Sequence, residues 1–191
     1  VSSFLSWIES RYGVPNCLSS VKVPRRRTPK TRMQFWTREE FDKFIKSVDD
    51  PMYHALFMTL FFTGRRKGEV LALTPDDVHE SYIEFSKSVT FKTADSSTFS
   101  IISTKADKTY TTPICAPLKA ELSSYVPMAP FYFGGDRPVP QNTLRNRFKS
   151  YIDKAGVKPI RIHDLRHSFV SMIIHGLSLI HISEPTRLAL I

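Results

Sequence analysis

Apolar residues recur at helical spacing along most of the 191-residue chain. A capping-box sequence at residues 37–40 stands just before four apolar residues that would share one helix face, Phe41, Phe44, Ile45 and Val48. Comparable start and stop signals predict further helices over residues 2–11, 51–63, 67–73, 117–125, 142–155 and 163–175. Gly64 is expected to end the helix over residues 51–63, and Asn142 and Gly156 to cap and to end the helix over residues 142–155.

Between residues 82 and 114 the pattern changes to that of strands. Residues 82–85, 98–103 and 109–114 predict three strands, and the pair Ala106-Asp107 predicts a tight turn that joins the last two as a hairpin. The chain is therefore predicted to be mainly α-helical with a small antiparallel β-sheet, an α+β fold. In the last helix, the expected buried side consists of Leu165, Phe169, Val170 and Ile173.

The net charge of +9 at pH 7 comes mostly from one short stretch. Six cations lie there with no acidic residue among them: Lys22, Arg25, Arg26, Arg27, Lys30 and Arg32. Two prolines in the same stretch favour an extended linker. Such a concentrated positive field suits a segment that follows DNA phosphates, and a solvated basic linker is the alternative that charge alone leaves open.

The rest of the composition narrows the class of protein. Two cysteines cannot form a disulfide framework and no Cys/His cluster has zinc-ligand spacing, so we expect a reducing cytoplasm and no metal site. The longest apolar run, residues 55–62, is too short to span a bilayer. Because the chain starts at Val1 within helix-like sequence, we also expect an N-terminal part to be missing.

Three cations in a row call for a chemical explanation. Arg65, Arg66 and Lys67 stand at a predicted helix start, where the helix dipole disfavours positive charge. They therefore predict a bound anion, with Glu69 available to hold one arginine. An ordinary basic helix start is the alternative.

Two further groups of basic residues follow along the chain. Lys105 and Lys108 flank the predicted hairpin turn, and His163 and Arg166 are three residues apart, which would place them on one helix face. Taken singly, each has a structural explanation, a solvated turn in the first case and a packed histidine in the second.

In this order and at these spacings, the three groups resemble the motifs of the tyrosine recombinase (phage and transposon integrase) family. TGRRKGEVLAL resembles the first arginine box, with Arg66 at the catalytic arginine. TKADK followed by YTTPI resembles the β-hairpin lysine, at Lys105 with Lys108 as the alternative, and HDLRHSF resembles the second box, with His163 and Arg166. The resemblance covers residues 35–176 and implies the catalytic domain. Residues 1–21 resemble the last helix of the family's core-binding domain, and residues 22–34 would be the basic linker.

The resemblance implies phosphoryl transfer on double-stranded DNA. In the family, a tyrosine hydroxyl attacks a scissile phosphodiester and forms a 3′-phosphotyrosine intermediate. Arg66 and Arg166 would hold the non-bridging oxygens, and Lys105 would protonate the leaving 5′ oxygen. His163 would assist proton transfer. The reaction as implied uses no cofactor.

The resemblance also implies partners and DNA contacts. A full-length member is expected to act as a homotetramer on recombination sites in the cytoplasm, encoded by a bacterium or phage, with an excisionase or a host DNA-bending protein as accessory partner and no membrane association. The predicted DNA-contacting residues are Arg25, Arg26, Arg27, Lys30, Arg65, Lys67, Thr143, Arg145 and Arg147. Arg145 and Arg147 are two positions apart and would splay, which favours contacts to the DNA backbone, while ordinary surface charge is the alternative.

The resemblance stops after the second box. No tyrosine follows Tyr151, so the chain is expected to lack the nucleophile and to be inactive alone. Residues 177–187, LSLIHISEPTR, match the translation of a common sequencing adapter. We therefore expect residues 177–191 to be a non-native tail.

Two other functions remain open. A type IB topoisomerase uses a similar set of Arg, Lys, Arg and His, although the residue sequence of both boxes favours a recombinase. The requirement for a specific target site separates the two enzyme classes. A non-catalytic basic DNA-binding module is the second alternative. It predicts that Arg66, Lys105, His163 and Arg166 lie scattered rather than around one phosphate-sized site.

Overall fold

The computed structural model describes residues 2–16, 34–92, 98–103, 109–127 and 129–182, with the backbone alone for residues 175–182. The chain forms two compact units, Val1–Arg32 and Met33–Ile191. Two predicted features fall outside the described residues. One is the basic stretch, with Lys22, Arg25, Arg26, Arg27, Lys30 and Arg32, and the other is the turn Ala106-Asp107 with Lys105 and Lys108 beside it. The domain limits expected from the sequence stay predictions.

The first unit contains the predicted helix α1, Ser2–Tyr12. Asn16 folds back onto it, since its backbone N–H donates to Glu9 Oε1 at 3.3 Å. Phe4 and Trp7 stack with ring centroids 6.2 Å apart, yet they are 61% and 52% exposed. A single helix offers no surface against which to bury such an apolar face.

The second unit is built around helix α3, Pro51–Thr63, most of whose side chains are buried. Because α3 is apolar on all sides, other elements must surround it. The helices that do so are α2 (Arg38–Lys46), α4 (Lys67–Leu71), α5 (Ala116–Ser124), α6 (Gln141–Ala155) and α7 (Asp164–Ile182). A short 3₁₀ helix, Pro75–Asp77, follows α4.

Local signals set several helix ends as predicted. Thr37 Oγ1 accepts the backbone N–H of Glu40, and the Glu40 carboxylate accepts that of Thr37, which completes the capping box of α2. Asp50 caps α3 by accepting two backbone N–H groups of its first turn. Gly64 and Gly156 end α3 and α6 in the left-handed conformation, with φ of 58° and 63°.

Aromatic rings form the centre of the core, where α2, α3 and α6 meet. Phe41 stacks on Phe61 with ring centroids 3.6 Å apart. Phe44 lies edge-on to Phe57 at 5.2 Å, and Phe148 of α6 contacts both of these rings. Burial of each ring stabilises the fold by about 1.5–3 kcal/mol, so this cluster fixes α6 against α2 and α3.

Within the described residues, four short strands form two antiparallel ladders. Strand β1 (Tyr82–Phe85) pairs with β4 (Tyr110–Pro113), and β2 (Lys87–Phe91) pairs with β3 (Phe99–Ser103). The predicted hairpin between the last two strands is wrong, because β3 pairs with β2 and β4 pairs with β1. The apolar pattern misses β2, since Val89 is its one buried residue.

The start of α6 differs from the prediction. Pro140 occupies the N-cap position with φ of −59°, and α6 begins at Gln141. Asn142 therefore lies inside the helix and is not its cap. The N-cap makes no side-chain capping bond, and its φ matches the value that the proline ring fixes.

Helix α7 begins one residue later than predicted, and fewer of its apolar side chains are buried than predicted. Its first residue is Asp164, so His163 lies in the preceding turn and not on the helix. Leu165 is buried, but Val170 and Ile173 are 45% and 41% exposed, and their predicted burial is wrong. The helical backbone continues to Ile182, and the adapter origin expected for residues 177–191 stays a prediction.

Helices around α3 together with small antiparallel ladders confirm the predicted α+β class. Within the described part of the chain, no helix combines the length and apolar character that crossing a membrane requires.

Candidate active site

The junction between α3 and α4 is the centre of the candidate site. Gly64 has φ of 58° there, a conformation that costs least for glycine. A Cβ atom at Gly64 would lie 2.3 Å from Cδ1 of Phe169 on α7, so glycine also lets α7 approach closely. The junction therefore brings the arginines that follow Gly64 next to the start of α7.

Arg66 occupies the N-cap position of α4, and Glu69 holds it. The backbone N–H of Arg66 donates to Glu69 Oε2 at 3.1 Å, and Nη1 donates to Oε1 at 3.1 Å. The Glu69 side chain is 6% exposed, whereas that of Arg66 is 62% exposed. A fixed carboxylate thus orients one edge of the guanidinium, and its other N–H donors have no partner among the described residues.

Arg166, in the first turn of α7, reaches back to the same junction. Its Nη1 donates to the carbonyl oxygen of Gly64 at 2.8 Å. Burial lowers the pKa of Arg65, and although the Glu69 carboxylate opposes this, the charges of Arg166 and Arg66 add to the lowering. The charges of both arginines therefore act on Arg65, and such a concentration of positive charge at one junction favours a bound anion.

Arg65 turns away from α4 and towards the strands. Its Nε donates to Thr112 Oγ1 at 2.9 Å, and Nη2 donates to the carbonyl oxygen of Thr111 at 3.3 Å. The guanidinium carbon lies 5.2 Å from the ring centroid of Phe85 and 5.1 Å from that of Tyr110. Arg65 thus ties the α3–α4 junction to β4, a role that a row of three cations does not reveal. Its DNA contact stays a prediction.

Asp164 fixes the turn that carries His163. The buried Asp164 carboxylate accepts three hydrogen bonds from Arg161, from its backbone N, its Nε and its Nη2. Burial by itself raises the pKa of Asp164, but these hydrogen bonds and the charge of Arg161 outweigh burial and lower the pKa below its usual range. The sequence shows the pair three residues apart, yet nothing in it indicates that Asp164 is buried.

His163 is exposed in the turn that precedes α7, and its role in proton transfer stays a prediction. Its pKa is lowered, first by partial desolvation and then by the nearby charge of His167, with a smaller contribution from Arg166. Because the usual pKa of histidine is about 6.5, a lowered value makes the ring mostly neutral at pH 7. In that state one ring nitrogen accepts a proton.

Buried hydrogen bonds anchor the segment around this turn. Ser168 Oγ accepts the backbone N–H of Trp36 at 2.9 Å and donates to the carbonyl oxygen of Asp164 at 3.0 Å. Trp36 Nε1 donates to the carbonyl oxygen of Lys158 at 2.8 Å. These bonds hold both ends of the segment that carries His163.

The structure thus gathers Arg66, His163 and Arg166 around one junction. Lys105 lies outside the described residues, so its place in the site stays a prediction. Among the residues the structure does describe, no group of His, Cys, Asp or Glu side chains is arranged to hold a metal ion.

The fold is similar to two solved integrase structures. One is a lambda integrase dimer bound to a COC′ core site, with a TM-score of 0.68 and 13% identity over 92% of this chain and 64% of that chain. The other is the Tn1549 transposon integrase in complex with a circular intermediate DNA, with a TM-score of 0.65 and 16% identity over 79% of this chain and 56% of that chain. At these identities the likeness concerns the fold.

Sequence similarity points the same way. The chain is 31% identical over 169 residues to ICEBs1 integrase of Bacillus subtilis (strain 168), a match covering 78% of this chain and 46% of the relative. The chain is thus similar in sequence to an integrase, and its fold is that of tyrosine recombinase catalytic domains. It spans about half the length of the curated relative that it matches. No protein-family model matches it.

The predicted DNA-contacting residues of α4 and α6 divide into two groups. Lys67 and Arg145 line a groove together with His163. Arg147 instead lies over the ring of Tyr53, with its guanidinium carbon 5.9 Å from the ring centroid. Arg145 and Arg147 therefore do splay. Their DNA contacts stay predictions, as does that of Thr143, which is exposed near the start of α6.

Proposed function

We propose that this chain is the catalytic segment of a recombinase that cuts and rejoins double-stranded DNA at specific sites. The observation that carries the proposal is the convergence of Arg66 and Arg166 at Gly64, beside His163. Two guanidinium groups remain charged at any working pH and suit the non-bridging oxygens of a scissile phosphate, where negative charge accumulates in the transition state. The lambda and Tn1549 integrases of similar fold are bound to DNA.

In the proposed reaction, a tyrosine hydroxyl attacks the phosphorus of the scissile phosphodiester. The tyrosyl O–P bond forms as the bond to the 5′ oxygen breaks, and the 5′ oxygen leaves with a proton that we assign to Lys105. Arg66 and Arg166 hold the non-bridging oxygens, and neutral His163 accepts or returns a proton. The phosphotyrosine link conserves the bond energy, so a 5′ hydroxyl of another strand reverses the step and rejoins the DNA.

The nucleophile is proposed to lie beyond these 191 residues. In the family it follows the second box, and no tyrosine follows Tyr151 here. Tyr151 is itself a poor candidate, because it is buried, its hydroxyl donates to Asp49 Oδ1 at 3.0 Å, and burial raises its pKa to about 12. The chain alone is therefore expected to bind DNA without forming a covalent link. For the whole protein we propose a homotetramer on its recombination sites, with an accessory DNA-bending partner.

Covalent capture tests this function. Full-length protein is incubated with a nicked duplex of its recombination site, so that the cleaved fragment diffuses away and the phosphotyrosine link accumulates. We expect a denaturant-resistant protein–DNA adduct that is lost in Arg166→Ala. No adduct from the wild-type protein would refute the proposal. Relaxation of supercoiled DNA that lacks the site would favour a type IB topoisomerase instead.

A further inference from the structure

A groove of about 620 Å³ opens beside the candidate site, and the proposed reaction does not use it. It runs between α6 and residues 159–163. Its floor is apolar, with buried Phe148, Ile152 and Ile160 flanked by Pro159 and Ile162. This size and lining are typical of a site for a small organic group rather than for a hydrated ion.

The rim of the groove is positively charged. Its cations are Lys67, Arg145, Lys149 and Arg161, and its one acidic residue is Asp153. Of these cations only Arg161 makes an ion pair within the described residues, with Asp164. Burial and the charge of Arg145 both lower the pKa of Lys67. Its surroundings therefore disfavour the charged ammonium group, and a bound anion would stabilise it.

The groove and the candidate site are continuous. Lys67 directly follows Arg66 in sequence, and His163 lines the groove as well as the site. An anion at Lys67 and Arg145 would thus lie next to the phosphate held by Arg66 and Arg166. A DNA strand supplies such a second phosphate and, joined to it through the sugar, a base whose flat aromatic faces suit apolar contacts.

We propose that the groove binds an unpaired nucleotide of the DNA strand adjacent to the scissile phosphate. Its phosphate lies on Lys67 and Arg145, and its base covers the floor near Ile152 and Ile162. The proposal rests on the proposed function for DNA as the partner. Because apolar side chains dominate the floor, the site accepts different bases, as apolar and stacking contacts do in single-strand binding.

Binding by the chain itself tests the proposal without any need for cleavage. Affinity is measured for a paired duplex, for the same duplex with one bulged 2-aminopurine, and for one with an abasic bulge. We expect the bulged base to bind about tenfold more tightly than the abasic bulge, the effect of one base contact, with a change in 2-aminopurine fluorescence. Two substitutions in the groove should bring this ratio close to one: Pro159→Glu, at an exposed position, and Ile162→Ser. Lys46→Ala, at an exposed position of α2, should leave the ratio unchanged.

The outcomes separate the groove from the wider function. Equal affinity for the bulged base and the abasic bulge would overturn the groove proposal, as would an unchanged ratio in both Pro159→Glu and Ile162→Ser. Circular dichroism of the two variants confirms that each remains folded. Absence of binding to every duplex would instead count against DNA as the partner, and so against the proposed function.

Discussion

Replacing Gly64 with alanine adds a methyl group at the point where α7 packs against the end of α3. The residue has φ of 58°, which costs a non-glycine residue about 1–2 kcal/mol. The new Cβ would lie 2.3 Å from Cδ1 of Phe169, so α7 must shift, at a cost of about 1–3 kcal/mol. The free energy of unfolding should therefore fall by about 2–5 kcal/mol. Because Arg166 donates to the Gly64 carbonyl, affinity for DNA should fall as well.

Gly156→Ala is a matched control for this substitution. Gly156 also has a positive φ, of 63°, but no atom lies within 4 Å of the position a Cβ would take. Only the backbone cost of about 1–2 kcal/mol applies there. Urea denaturation followed by circular dichroism measures both losses.

A double-mutant cycle isolates the contact with Phe169. In a Phe169→Ala background the methyl group at residue 64 no longer meets the ring atoms nearest to it, so Gly64→Ala should cost about as little as Gly156→Ala. Equal losses for the two glycine variants in the wild-type background, or strictly additive losses in the cycle, would refute the packing argument.

Three further substitutions test the groups around the junction. Arg65→Lys should lower the free energy of unfolding by about 1–2 kcal/mol in urea denaturation, because lysine cannot keep both hydrogen bonds and both ring contacts. Arg137→Lys, at an exposed position, is the control and should change it by less than about 0.5 kcal/mol. Glu69→Gln should lower the free energy of unfolding by about 1–2 kcal/mol in the same assay, since a neutral amide no longer balances the charge of Arg66. Glu84→Gln, on β1, is the control and should not show this loss. The pKa of Asp164 is lower in the folded than in the unfolded protein, so the ionised carboxylate stabilises the fold above the unfolded pKa of about 3.9. This stabilisation is lost as the pH falls through the folded pKa. Between about pH 7 and pH 3 the melting temperature should therefore decline less steeply in Asp164→Asn than in the wild-type protein.

Helix ends were predictable because the signals that set them are local. The capping box at Thr37 and Glu40 and the left-handed Gly64 each involve residues within one turn of the chain. Strand pairing was not predictable, because it depends on partners that are far apart in sequence. The turn residues Ala106-Asp107 suggested a hairpin, whereas burial of Ile83 and Phe85 accompanies pairing of β1 with β4.

The candidate site divides in the same way. Arg66, His163 and Arg166 are recognisable from motif spacing, and the structure adds the contacts that position them. Sequence gives no sign that Arg65 lies between two aromatic rings, or that Asp164 is buried beneath Arg161. Both arrangements arise only when distant elements pack together.

The role of the two arginines is tested most directly by changing the charge of the phosphate. A methylphosphonate at the scissile position replaces one charged non-bridging oxygen with a neutral methyl group, which removes much of the need for a guanidinium. In full-length protein, Arg66→Ala and Arg166→Ala should form almost no covalent adduct with the ordinary nicked duplex. With the methylphosphonate duplex they should regain adduct formation. Equal loss of adduct on both substrates, or normal adduct on the ordinary duplex, would contradict the assignment of Arg66 and Arg166 to the scissile phosphate.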